Sequence, residues 1–150
     1  MRTINKIIIH CSATPEGKDY TVGEIDRDHR KRGFAKIGYH YVIYRDGTIH
    51  QGRKESEVGA HARGYNANSI GVCYIGGLAR DGKTTKDTRT QAQRDALVRL
   101  LRELVIRYPD AEILGHRDLS PDKNGDGIVS PNEYIKGCPS FDAKKEYKVI

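Results

Sequence analysis

The chain has 150 residues, 37% hydrophobic and 31% charged, with no tryptophan. That length suits one domain with a real core, and the longest apolar run, Ile7-Ile8-Ile9, is far too short to span a membrane as a helix. The net charge of +6 favours an anionic partner such as nucleic acid, a membrane surface or a cell wall, but the basic residues are scattered among acids, the pattern of a solvated face rather than of a nucleic-acid site.

Met1 to Ile9 opens on a basic residue without an apolar region of signal-peptide length, so the chain is expected to stay in the cytosol unless something else releases it. Ile4 to His10, short and β-branched, predicts a buried strand. Thr21-Val22-Gly23-Glu24 is a capping box, and a polar helix follows to Arg32 with Gly33 as its stop. His29 is expected on its solvated face. Gly38 to Gly52 predicts a hairpin turning at Arg45-Asp46-Gly47. Ser69 to Ile75 is a second apolar strand ended by Gly76-Gly77, and Ala79 to Thr88 a polar loop. Thr90-Gln91-Ala92-Gln93 is another capping box, behind which Leu97, Leu100, Leu101, Leu104 and Val105 repeat at helical spacing. Glu112 to Leu114 predicts a strand delivering His116, and Phe141 to Tyr147 a closing helix. The order β-α-β-β-β-α-β-α predicts an α/β fold, a mixed central sheet flanked by helices, in a single domain over 1–150.

Three cysteines without a secretion signal argue against a disulfide framework. Cys73 reads as a small buried hydrophobe, and Cys11 points away from His10 if both lie on a strand. Cys138, in a Gly/Pro turn, has the setting of a metal ligand. Together with His10 and His116 it offers two imidazoles and a thiolate, three ligands for tetrahedral zinc with a fourth position open to water, as in a catalytic site. Taken singly, each histidine reads as a satisfied core residue rather than as a ligand.

Seven blocks decide between these readings: His10-Cys11-Ser12-Ala13-Thr14, Gly38-Tyr39-His40-Tyr41, Tyr44-Arg45-Asp46-Gly47-Thr48, Gly59-Ala60-His61-Ala62, Gly64-Tyr65-Asn66, Asn68-Ser69-Ile70-Gly71-Val72-Cys73 and Cys138-Pro139-Ser140-Phe141-Asp142. In that order they resemble the zinc N-acetylmuramoyl-L-alanine amidases, whose fold the peptidoglycan recognition proteins share. The resemblance implies that His10, His116 and Cys138 bind zinc and that Tyr39 and Lys136 are catalytic. It implies that His61 lies at the rim of a substrate groove. The implied substrate is peptidoglycan, cut between N-acetylmuramic acid and L-alanine. The competing expectation is a module that binds muropeptides without cutting them; such relatives typically lose the cysteine ligand, which is present here. No nucleic-acid or membrane partner is expected, and a monomer is the default.

Between His116 and Cys138 lies Asp122 to Glu133, which matches a calcium-loop pattern. Side-chain oxygens of Asp122, Asn124, Asp126 and Glu133, with the carbonyl of Ile128, have the spacing to converge on one hard cation. The motif is single and contains Pro131, and the same residue types also make plain turns.

Overall fold

The computed structural model describes residues 2–121 and 137–150. Its main sheet has five strands: β1 (Lys6–Cys11), β3 (Tyr41–Ile43), β4 (Ile49–Gln51), β5 (Ser69–Tyr74) and β7 (Glu112–Gly115), in the order β4-β3-β5-β1-β7. β1, β3, β5 and β7 run parallel and only β4 is antiparallel, so the sheet is mixed, as the element order predicts.

Central parallel strands are covered on both faces and therefore read as unbroken apolar runs; β1 and β5 are such runs, and all of β5 is buried. Alternation then sorts the residues of β1. Ile7, Ile9 and Cys11 join the larger core, which packs on α2 (Gln91–Arg107) through Ala96, Leu97, Leu100, Leu101 and Leu104. Ile8 and His10 face the other way, toward the side where Val42 and Ile75 meet Ile25 of α1 (Val22–Lys31). The short α3 (Ala143–Glu146) closes the α2 side through Ala143.

Both predicted helix starts are found, with one difference. At Thr90 the box is complete: its hydroxyl accepts from Gln93 N–H at 3.1 Å, and its own N–H donates to Gln93 Oε1 at 2.9 Å. Thr21 Oγ1 accepts from Glu24 N–H at 3.2 Å, but Glu24 turns its carboxylate onto the same hydroxyl, so only half of the box forms. The predicted hairpin is β3–β4, paired Tyr41 with Gln51 and Ile43 with Ile49. Gly47 at its turn has φ +85°, where a side chain would be strained.

A second sheet, not expected from the sequence, pairs β2 (Thr14–Pro15) in parallel with β6 (Gly77–Leu78). Two residues per strand are too few for alternation to register. A Cβ at Gly77 would stand 2.4 Å from Cys11 Sγ, so glycine lets this sheet approach the end of β1. The region expected as a calcium loop lies outside the described residues.

Candidate active site

The register of β1 against β7 pairs Ile9 with Gly115. One step further along both strands stand His10 and His116, with ring centroids 4.6 Å apart. Parallel pairing thus places two histidines from opposite ends of the chain side by side.

Cys138 is held between the same strand ends. Its carbonyl accepts from Arg117 N–H at 2.8 Å, and its Sγ accepts from Cys11 N–H at 3.1 Å. The next residue, Pro139, accepts the Tyr74 hydroxyl on its carbonyl at 2.6 Å. A Cβ at Gly115 would stand 2.7 Å from Pro139 Cδ, so a glycine at the end of β7 lets the cysteine loop seat.

The donor atoms of His10, His116 and Cys138 lie within 4.8 Å of one another. Two imidazole nitrogens and a sulfur suit zinc and are too soft for calcium or magnesium. Burial, then the neighbouring Cys11 sulfur, pushes the Cys138 thiol well above its ordinary value. A dication is the neighbour that converts such a thiol into a thiolate. The donor chemistry of the three residues therefore fits a zinc ion.

Tyr39 stands beside this cluster, its ring centroid 5.1 Å from that of His10. Burial, then the thiols of Cys73, Cys138 and Cys11, raises its phenol well above the usual range. At neutral pH Tyr39 is therefore a hydrogen-bond donor and not a base.

His61, expected at the rim of a groove, is 9% exposed, stands beside His10 and lines a cleft together with it. Its Nδ1 is 2.8 Å from His10 Nε2, and its Nε2 is 3.1 Å from Ser69 Oγ. Burial, then the proximity of His40 and His116, pushes it down to about 3, so it is neutral.

His29 is the residue that sequence reasoning missed. Expected in solvent, it is 7% exposed. Its Nδ1 accepts from Gly38 N–H at 2.9 Å, and its ring lies 5.3 Å from that of Tyr39. The signal was available: Val22, Ile25 and His29 share one face of α1 at i, i+3, i+7 spacing, which is the buried face. His40 is a framework residue: its Nδ1 accepts from Gly71 N–H at 3.0 Å, and its Nε2 donates to the Glu57 carbonyl at 2.8 Å.

These groups open onto a cleft of about 970 Å³, whose walls include His29, Arg32, Phe34, Arg63 and Tyr65. That volume is in the range of small-molecule and peptide sites. Lys136 and the calcium-loop residues Asp122, Asn124, Asp126, Ile128 and Glu133 lie outside the described residues.

A mixed sheet carries, at the carboxyl ends of its strands, a His/His/Cys cluster that could hold a metal ion and that opens on a cleft beside a tyrosine. Among solved structures, the fold is similar to N-acetylmuramoyl-L-alanine amidase LysC from Clostridium intestinale, with TM-score 0.73 and 28% identity over 97% of this chain and 83% of that one. It is equally similar to a Drosophila PGRP-LB mutant in complex with tracheal cytotoxin, with TM-score 0.73 and 25% identity over 99% of this chain and 82% of that one. In sequence the chain is 41% identical over 139 residues to the endolysin of Escherichia phage T7, covering 93% of this chain and 82% of the relative. The N-acetylmuramoyl-L-alanine amidase family matches residues 1–129, and the chain belongs to that family of enzymes. Cys138 lies beyond the matched stretch; the fold brings it back to the two histidines.

Proposed function

We propose that this protein is a zinc-dependent amidase that hydrolyses the bond between N-acetylmuramic acid and L-alanine in bacterial peptidoglycan, and that it acts on the cell wall. The observation that carries the zinc requirement is the convergence of His10, His116 and Cys138 within 4.8 Å beside Tyr39. The named ligands and activities of the similar proteins support the substrate class.

An amide is a poor electrophile and water a poor nucleophile at neutral pH; a bound zinc ion polarises the scissile carbonyl and acidifies water. The rest falls to the chain. His10, His116 and Cys138, which line the cleft, would hold the metal. Tyr39, kept protonated by burial, donates a hydrogen bond to the carbonyl oxygen as negative charge develops there. Lys136 is assigned to the same oxygen as a cation. The cleft walls hold the sugar and stem peptide so that the amide lies over the cluster.

The test is to incubate the purified protein with purified peptidoglycan and measure newly freed L-alanine amino termini. Release that stops in chelator and returns with zinc is expected. Muropeptide binding without cleavage at any zinc level would overturn the assignment in favour of a recognition module.

A further inference from the structure

One wall of the cleft is a single run of chain, Ala60 to Asn66. Residues 52–65, all of them described, form neither strand nor helix. No ladder fixes their course, and their carbonyls need donors from elsewhere. Arg53 supplies one stitch: its Nε donates to the Ile37 carbonyl at 2.8 Å and its Nη1 to the Val58 carbonyl at 2.7 Å.

The second stitch comes from Arg2, ahead of β1. Its Nε and Nη2 donate to the Glu55 carbonyl at 3.2 and 2.7 Å. Its Nη1 donates to the carbonyls of Asn66, Ala67 and Ser69 at 3.1, 3.2 and 3.1 Å. A guanidinium can do this because its N–H groups point several ways at once from one rigid plane. Nη2 also lies 3.2 Å from His40 Nε2, but that nitrogen donates its hydrogen to the Glu57 carbonyl, so the contact is proximity and not a bond. Both ends of the wall segment therefore meet on one side chain.

The Glu55 end is anchored independently. Its carboxylate accepts from the Tyr108 hydroxyl and from Arg107 Nη2, both at 2.6 Å, at the end of α2. Arg2 carries that fixed point across to Asn66. Asn66 passes it on to the cleft: its Oδ1 accepts from His61 N–H and Ala62 N–H at 2.9 Å, and Tyr65 N–H closes back on the Ala62 carbonyl at 2.9 Å. Arg2 itself stands behind this wall and does not line the cleft.

We propose that Arg2 is a positioning residue for the substrate wall: by gathering the Glu55 and Asn66–Ser69 carbonyls on one guanidinium, it sets the course of Ala60 to Asn66 without touching substrate. That this wall meets a muropeptide rests on the proposed function; the tether is a property of the chain itself.

Arg2→Ala tests it in two ways. Amide hydrogen exchange should quicken at His61 and Ala62 while the amides of β1 and α2 keep the parent's rates, the mark of local rather than global opening. With a soluble muropeptide, KM should rise about 3–10-fold, the scale of re-ordering a side chain on binding, and kcat should hold. A folded Arg2→Ala protein with the parent's exchange at His61 and Ala62 overturns the proposal. Exchange that rises everywhere alike, or a loss confined to kcat, overturns it too. If Arg2→Ala fails to fold, Arg2→Lys is read against the same outcomes, since one ammonium cannot span both ends. A parent that cleaves no peptidoglycan would sink the amidase reading, while the exchange rates would still decide the role of Arg2.

Discussion

On the proposed function Tyr39 and Cys138 divide the chemistry, and single changes should separate them. Cys138→Ser removes the proposed sulfur ligand and should lower zinc affinity by more than the roughly 10–100-fold that outer-shell changes cost, read as metal content after dialysis. Tyr39→Phe should keep its zinc while losing about 10²–10³ in turnover, the scale of one lost donor at a developing oxyanion. The same phenol has a stability consequence. Folding raises Tyr39, and burial does the same to Tyr74. The unfolded chain ionises near pH 10, so the stabilisation that depends on these neutral phenols is complete below that pH and is lost as pH rises above it. Denaturant midpoints measured from pH 9 to 11 should fall, and less steeply in Tyr74→Phe. The grouping of His10, His116 and Cys138 was legible in the sequence because their neighbours form distinctive blocks. The place of His61 was not, since a Gly-Ala-His-Ala stretch gives no sign that its ring lies under another histidine.

Between elements, Arg89 ties the start of α2 to the C-terminal segment that carries Cys138. Its side chain is only 1% exposed. It bonds Asp87 and Glu146, donates to the Tyr147 hydroxyl at 2.9 Å, and lies 3.3 Å from the centroid of Phe141. Phe141 in turn follows Pro139 and Ser140, so the knot braces the cysteine loop from behind. Arg89→Met should cost about 3 kcal/mol, the low end for breaking a buried pair, because both carboxylates keep some contact with water. Thermal melts would show it. Acid should loosen the same knot. Burial acts to raise Asp87, but the hydrogen bonds from Arg89 outweigh it and hold the carboxyl low; Glu146 is held low by Arg89 directly. Their contribution is therefore present above the ordinary carboxylate range and lost as pH falls through it, and Arg89→Met should flatten that part of the stability–pH curve. The strands and long helices were legible from periodicity and caps. The Arg89 knot was not, because its partners are far apart in sequence and each reads alone as a surface charge.

For the molecule as a whole, the proposed metal and the surface charge set conditions of use. A ligand that binds only the folded state stabilises it by RT ln(1 + [L]/Kd), about 2.7 kcal/mol at a hundredfold excess over Kd. Zinc should therefore raise the melting temperature and chelator lower it. A structurally unchanged melt in both would count against the site. The net charge of +6 implies that binding to an anionic wall weakens as salt shortens the screening length, from about 10 Å at 0.1 M to 3 Å at 1 M. Sedimentation with purified walls across that range would read it. The mixed sheet was predicted from element order, but which strands adjoin was not: β1 lies between β5 and β7, and parallel pairings over such distances leave no local trace.

That strand order makes the His10, His116 and Cys138 cluster a certificate of completed folding. One donor comes from the first strand of the sheet, one from just past the last, and one from the segment after it. No fragment, hairpin or early collapsed form holds all three, and pairings between distant strands form late because their loops are long. Zinc retained against a weak chelator should count finished molecules, and its appearance during refolding should keep time with the slowest structural phase and never precede it.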